Sequence, residues 1–297
     1  MADATIVEVG GRQLRLTNLD KVLYPETGTT KAEVIDYYAR IAPAMVPHVA
    51  GRPLTFRRWP NGVEQSAFFE KNCPGHAPDW VPRLDGPGDV RSCGLDEQAA
   101  LAWAGNQAAL EIHAPMSRAG ALDEPLALVL DLDPGPPADI VTCVEVAVAI
   151  RAVLDTVDLV SVPKTSGSKG MQLYVPLNGG ADYETTSSFA LALGQLLERQ
   201  RPELVLTDMT RSLRPGKVLI DWSQNSFHKT TIAPYSLRGR ARPTVSTPVT
   251  WDELEAATSA DDLTFEAADV LARVEHHGDL FADVVELEQR LPQRGGG

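Results

Sequence analysis

Cysteine is scarce in this chain: three among 297 residues, at positions 73, 93 and 143. The odd number and wide spacing match neither a zinc ribbon nor a disulfide framework, so the expectation is reduced cytosolic thiols. No apolar run approaches the roughly 18 residues that a membrane helix needs. The opening Met1-Ala2-Asp3-Ala4 has neither the basic stretch nor the apolar core of a secretory leader. A cytoplasmic protein with no membrane partner is therefore expected. Internal repeats and low-complexity tracts are also missing. Basic residues are outnumbered, 27 Lys and Arg against 40 Asp and Glu, for a net charge of −13. Taken whole, that balance argues against a nucleic-acid partner.

The distribution of charge reverses the argument. From Ser246 to the end there are twelve acidic residues and three basic ones, whereas Val205 to Val245 holds seven basic residues and two aspartates. A local patch, not the total, is what meets phosphate. The composition, 43% hydrophobic and 23% charged, is that of an ordinary globular protein.

The most informative stretch is Leu126 to Gly135. An apolar run, Leu126 to Leu130, delivers Asp131 and Asp133 and then stops at Pro134-Gly135. A short apolar run bounded by turn formers reads as a buried strand. Residues two apart on a strand share a face, so both carboxylates point the same way. Two such carboxylates repel and are costly to desolvate; a divalent cation relieves both, and oxygen ligands suit magnesium or manganese. The bland reading is a pair of solvated turn aspartates. Val218-Leu219-Ile220-Asp221-Trp222 repeats the pattern and offers the third carboxylate of a two-metal site.

Around these strands the pattern predicts a hairpin over 5–18, a loop or short helical turn over Asn18 to Pro25, and a helix opened by a Thr30/Glu33 capping box. That helix keeps its spacing to Pro47, with Pro43 able to kink it. Arg52 to Pro60 reads as a strand with a basic end. Phe68-Phe69 are core residues or, beside Arg57, Arg58 and Lys71, a stacking platform for bases. The segment Asn106 to His113 ends in Glu111-Ile112-His113. Ala138 to Leu154 reads as a buried helix, Leu159 to Val162 and Met171 to Leu177 as strands, Phe189 to Leu197 as a helix, and Leu204 to Leu206 as a strand. Between the first two strands lies Lys164-Thr165-Ser166-Gly167-Ser168-Lys169-Gly170. This loop can present N–H groups, a hydroxyl and an ammonium to phosphate, but it is not a Walker A loop. Arg211 to Lys217 is a basic turn, and Thr250/Glu253 caps a further helix. The simplest organisation is one α/β (α+β) domain over 1–290, with a catalytic core at about 105–245, an acidic helical tail at 246–290 and a flexible end at 291–297.

Three strand-end aspartates, a Ser/Lys loop and a distal arginine cluster suggest metal-dependent nucleotidyl transfer. Two alternatives stand beside it. A haloacid-dehalogenase-type phosphatase would use Asp131 as nucleophile and Asp133 as acid, but expects Thr or Val where Gly135 stands. A non-catalytic DNA-binding module would use Lys21, Lys31 and the basic turn, and would leave the three carboxylates unexplained.

Leu130 to Gly135, Ser166-Gly167-Ser168-Lys169-Gly170, Val218 to Asn225 and His228 to Arg238 together resemble the polymerase domain of bacterial ligase D. They equally resemble its stand-alone relatives in the archaeo-eukaryotic primase superfamily. Leu16 to Pro25 with Lys31, and Phe68 to Asn72, continue the resemblance in order over roughly residues 10–245. It implies two mixed or antiparallel sheets flanked by helices around an RRM-like primase-polymerase core. It implies that Asp131, Asp133 and Asp221 bind two Mn2+ or Mg2+ ions, with manganese favoured. His113, Ser166, Lys169 and Arg238 would hold nucleoside triphosphate phosphates, and Arg57 and Gln224 would lie against the sugar or metal-bound groups. Phe68 and Phe69 would stack near a base. Asn18, Lys21 and Lys31 would form a pocket for a 5′-phosphate, and Arg214 would meet DNA. The implied activity is a monomeric, nucleoid-associated gap-filling or primer-extending repair polymerase that prefers ribonucleotides, in end joining or excision repair. Its implied partners are gapped or 5′-phosphorylated DNA, a separate DNA ligase and Ku. The chain departs from the family at Arg57, often lysine, and at Met171-Gln172, where many relatives carry an apolar residue and histidine. It has neither the Lys-x-Asp-Gly motif of a ligase nor a histidine-rich phosphoesterase region.

Overall fold

Alternating leucines make the aspartate strand. In the computed structural model, which describes residues 4–292, it runs from Ala127 to Pro134. Leu128, Leu130 and Leu132 take one face, and Val129, Asp131 and Asp133 take the other. It is the centre of a five-stranded sheet, in the order Val162–Thr165, Met171–Pro176, Ala127–Pro134, Val218–Asp221, Val205–Leu206. All pairs are antiparallel except the last, which is parallel. Helices Ile140–Asp155 and Tyr183–Gln200 pack against this sheet. Asp139 and Asp182 cap their first turns through side-chain oxygens that accept backbone N–H bonds.

This sheet belongs to one of two compact units, built from Met116–Lys229, Pro248–Thr264 and the chain from Leu280 on. That is the second unit in chain order; the first unit takes the chain up to Pro115, then Thr230–Thr247 and Phe265–Asp279. Its main sheet has the order Thr231–Ile232, Ala109–Ala114, Thr55–Arg58, Phe68–Glu70, all antiparallel. Its longest helix, Lys31–Val49, opens with the expected Thr30/Glu33 capping box and packs along helix Gln98–Asn106. Three buried tyrosine hydroxyls of this unit each donate to a backbone carbonyl: Tyr24 to Arg238, Tyr37 to Tyr235 and Tyr38 to Leu110. The bonds remove the cost of burying the hydroxyls. The result is a mixed α+β architecture with small antiparallel sheets, as expected.

Several local expectations are revised. The long helix passes Pro43 and Pro47 and ends at Val49. The Ala39 carbonyl, which Pro43 cannot serve, accepts from the Gln98 side chain at 2.9 Å. The stretch Asn18 to Pro25 holds a strand, Val22–Tyr24, paired with Thr29–Thr30. The strand expected at Leu159 to Val162 starts three residues later. The acidic helices expected as a tail are shared out: Trp251–Ala256 and Asp283–Glu286 join one unit, and Ala267–His277 joins the other. The expected flexible end lies, from 293 onward, outside the described residues.

Cys73 and Cys93, expected as reduced thiols, form a disulfide with Cα atoms 4.7 Å apart. The Cys73 N–H donates to Arg91 O, which lays the chain after Phe68–Glu70 along strand Arg91–Cys93 and brings the pair together. Cys143 stays a free, buried thiol. Among the described residues no helix is long and apolar enough to cross a membrane.

Candidate active site

Strand register gathers the carboxylates. Asp131 lies directly opposite Asp221 in the antiparallel pair, and Asp133 follows two residues on, so all three leave one face of the five-stranded sheet. Past Asp221 the strand turns away, and Asn225 takes over its pairing role. Its amide accepts from Val129 N at 2.8 Å and donates to Val129 O at 2.7 Å, holding the aspartate strand straight beside Asp131. Burial, then the charge of Asp133, push the Asp131 carboxyl up to about 7; a hydrogen bond from Gln172 opposes this, and Asp221 adds to it. Asp133 is raised by burial and by Asp221, against the nearby Arg214.

Asp221 Oδ1 accepts from Ser223 N at 3.0 Å and Ser223 Oγ at 2.6 Å, and Oδ2 accepts from Gln224 Nε2 at 3.2 Å. Among the described residues, no three His, Cys, Asp or Glu side chains stand together closely enough to grip a metal ion as placed. The donor set nonetheless fits a hard divalent cation. Three carboxylates share a face, burial and then their mutual repulsion lift two of them, and the neighbouring Gln224 Oε1 is buried with no hydrogen-bond partner.

The Ser166 loop joins two strands of the same sheet. Ser166 N donates to Gly170 O at 2.9 Å and Gly170 N to Ser166 Oγ at 3.3 Å, while Lys169 is exposed at the tip. Gly170 is required by proximity, since a Cβ there would sit 2.1 Å from Leu132 O, between the two aspartates. A Cβ on Gly135 would sit 2.0 Å from Arg214 O. No Thr or Val fits that position, which removes the residue the phosphatase reading calls for.

The first unit carries a different cluster, centred on a residue to which the sequence pattern alone assigns no role. Glu111 is 1% exposed on the strand Ala109–Ala114. Its Oε1 accepts from Arg238 Nε at 3.1 Å and Gly239 N at 3.2 Å. Its Oε2 lies 3.0 Å from His113 Nε2, which must donate because a carboxylate only accepts, and 3.6 Å from Arg57. Burial would raise this carboxyl, but the His113 bond and the charges of Arg238 and His113 win and hold it at about 2. Phe69, Arg57 and Glu111 are register partners across three strands. The Arg57 guanidinium stacks between Trp59 at 4.6 Å and Phe69 at 5.3 Å, and Arg58 lies over Phe68. Phe68 and Phe69 are 45% and 60% exposed, so they are not core. The signal for Glu111 was its two-residue spacing from His113, the same one-face argument that served Asp131 and Asp133.

The remaining first-unit residues lie near the front of the chain. Lys31, the first residue of the long helix, is buried and donates to Thr17 O at 2.7 Å. Lys21 donates to Asn61 Oδ1 at 2.8 Å, and Asn18 takes a left-handed backbone at φ 54°. Burial, then the charges of Lys21 and Arg58, push Lys31 down to about 8. Thus Arg57, His113, Arg238, Phe68, Phe69, Asn18, Lys21 and Lys31 belong to one unit, and Asp131, Asp133, Asp221, Ser166, Lys169, Arg214 and Gln224 to the other.

Carboxylates ranged on a sheet face above a Ser/Lys loop are the equipment of nucleotidyl transfer, and comparison with known proteins defines the branch. Residues 30–281 match the family described as LigD, primase-polymerase domain. The chain is 49% identical over 275 residues to the multifunctional non-homologous end joining protein LigD of Mycolicibacterium smegmatis, covering 91% of this chain and 36% of that protein. It is 33% identical over 282 residues to the bifunctional non-homologous end joining protein LigD of Bacillus subtilis, covering 94% and 45%. It thus spans between about a third and under half of the length of these curated relatives. The solved polymerase domain from Mycobacterium tuberculosis ligase D in complex with DNA matches with a TM-score of 0.86 at 45% identity, over 93% of this chain and 99% of that one. The chain belongs to the LigD primase-polymerase domain family, and is a nucleotidyltransferase of the polymerase type. That membership also sets aside the phosphatase and the non-catalytic binding module.

Proposed function

We infer that the chain extends a DNA 3′-hydroxyl at short gaps or ends, within non-homologous end joining, with a preference for ribonucleotides and for a downstream 5′-phosphate. The observation that carries the catalytic part is the register of Asp131 with Asp221, which sets three carboxylates on one face of the five-stranded sheet. The pathway part is supported by the end-joining names of the relatives. In the reaction the 3′-hydroxyl oxygen bonds to the α-phosphorus of a nucleoside triphosphate and its proton passes to solvent, while the α-phosphorus bond to the bridging oxygen breaks and pyrophosphate leaves. Asp131, Asp133 and Asp221 would hold two divalent cations, manganese in preference. When bound, these supply Lewis acidity and charge neutralisation at the reacting phosphates. Ser166, Lys169, His113 and Arg238 offer donors and positive charge for triphosphate oxygens. Arg57, stacked between two rings, is preorganised toward the nucleotide. Exposed Phe68 and Phe69 offer faces on which a base can stack. Lys21, Lys31 and Asn18 would receive the 5′-phosphate, and Arg214 the DNA backbone. A DNA ligase and Ku are the expected partners in the pathway, and the chain is expected to act as a monomer.

The test is primer extension on a one-nucleotide gap, with and without the downstream 5′-phosphate, in manganese, with ribo- or deoxyribonucleoside triphosphates. Phosphate-stimulated extension, faster with ribonucleotides and abolished by Asp131→Ala, is the expected result. Extension that survives Asp131→Ala would overturn the assignment of the carboxylates.

A further inference from the structure

One row of register partners runs across the five-stranded sheet of the second unit: Lys164, Gln172, Asp131, Asp221. Partners in antiparallel pairs share a face, so all four side chains leave the sheet on the side of the carboxylates. Lys164 is 0% exposed and Gln172 4%. Neither has a part in the reaction described above. Yet polar side chains this deep persist only where they are satisfied, and these two lie directly in line with the reacting face.

Gln172 Nε2 donates to Asp131 Oδ1 at 3.0 Å, and its Oε1 accepts from the Tyr174 hydroxyl at 3.3 Å. The Tyr174 ring is held edge-on by Phe281 at 5.0 Å, and Lys164 Nζ lies 5.8 Å from the same ring. These contacts give the amide one orientation. Turned over, it would set its oxygen against the Asp131 carboxylate, oxygen to oxygen. The hydrogen bond engages Oδ1, and among the described residues Oδ2 is the Asp131 oxygen left to meet a ligand. An amide does this without a charge of its own that could compete for the cation.

We propose that Gln172 is a positioning residue for Asp131, fixing the rotation of its carboxylate so that Oδ2 faces a divalent cation. This rests on the reading of Asp131, Asp133 and Asp221 as metal ligands. Groups that orient a ligand in this way set metal affinity by about 10- to 100-fold. Gln172→Leu keeps the bulk and removes the donor. It is expected to weaken Mn2+ binding by about tenfold or more, with extension recovering most of its kcat at saturating metal. Gln172→His, which keeps a ring N–H donor, should recover affinity to within about threefold.

The test uses the full chain and Mn2+ alone, with binding followed by the electron paramagnetic resonance of free manganese and folding by thermal melting. Primer extension against Mn2+ concentration separates apparent metal affinity from kcat, and Asp131→Asn serves as control. Weakened Mn2+ binding in Gln172→Leu with a cooperative melt, rescued by Gln172→His, is the expected outcome. If Gln172→Leu binds Mn2+ within about twofold of the parent while Asp131→Asn does not bind, Gln172 is only a packing residue and the proposal fails, leaving the metal reading intact. If Asp131→Asn binds as the parent does, the metal reading itself fails and takes the proposal with it. Should Gln172→Leu not fold, Tyr174→Phe decides. It removes the hydroxyl that orients the amide, and unchanged Mn2+ affinity in that variant overturns the proposal.

Discussion

Replacing Glu111 by glutamine tests the cationic cluster of the first unit most directly, because the side chain keeps its shape and loses only its charge. The carboxylate is 1% exposed and has four partners within 3.6 Å: Arg238, Gly239, His113 and Arg57. It titrates at about 2 in place of the ordinary 4.5, because the His113 hydrogen bond and the charges of Arg238 and His113 outweigh desolvation. A downward shift of that size corresponds to about 3 kcal/mol of stability at neutral pH. A depressed folded-state value means the contribution is present above about pH 4.5 and lost as pH falls toward about 2. The amide would also aim N–H groups at His113 or Arg238, donor against donor. Urea denaturation of parent and Glu111→Gln at pH 7, 5, 4 and 3 measures the effect. The difference should be about 3 kcal/mol at pH 7, hold to pH 5, and shrink steadily below. In the same variant Arg57 and Arg238 lose the anchor that fixes their guanidinium groups. KM for the nucleoside triphosphate is therefore expected to rise by about tenfold or more. A stability difference that stays constant between pH 7 and pH 3 would refute the reasoning, since it would mean that the charge of Glu111 is not what the cluster uses.

Three further outcomes are expected. Lys31 titrates at about 8, so stimulation of gap filling by a 5′-phosphate should be full below that pH and decline above it. Lys31→Arg, which stays charged, should flatten the decline, and an unchanged profile would remove Lys31 from the phosphate pocket. Gly170→Ala would drive a Cβ to 2.1 Å from Leu132 O, and should cost about 1–3 kcal/mol by denaturant midpoint together with extension activity. A variant as stable and active as the parent would show that the loop relaxes freely. Reduction of the Cys73–Cys93 bridge, which spans 20 residues, should lower stability by about 3 kcal/mol, an effect absent in Cys73→Ser; a reductant-insensitive parent would count against the bridge.

The parts of the site legible in the sequence are those whose signal is local. An apolar run ending in Asp131-Leu132-Asp133 shows its strand and its shared face within eight residues, and Asp221 repeats the pattern. The capping boxes at Thr30/Glu33 and Thr250/Glu253 are also complete within four residues, and both form as expected. What escaped depends on distant partners. Glu111 is remarkable only beside Arg238, 127 residues away, and Asn225 only beside Val129, 96 away. Gln172 registers in the sequence as a departure from relatives, and only the strand pairing turns it toward Asp131. The cysteine spacing fits no framework because a loop path, not a repeat, brings Cys73 to Cys93. The acidic residues after Ser246 looked like one tail because charge is counted along the chain, while their helices are distributed by apolar contacts at Leu254, Val270 and Val284.

That distribution has a consequence for the order of events as the chain is made. The first unit leaves its opening segment at Pro115 and is completed only with Phe265–Asp279, where Asp279 meets His48 at 2.7 Å and Tyr235 at 2.6 Å. At about 5–20 residues per second, the intervening stretch takes on the order of 10–30 seconds to synthesise. Through most of that interval the strand carrying Glu111 waits for its neighbour Thr231–Ile232 and for Arg238, with a strand edge uncovered. Until its last segment emerges, the nascent first unit therefore also lacks Asp279, the carboxylate that meets His48. Cutting the gene near residue 115 or 246 would yield pieces that cannot stand alone, because neither unit is a continuous length of chain.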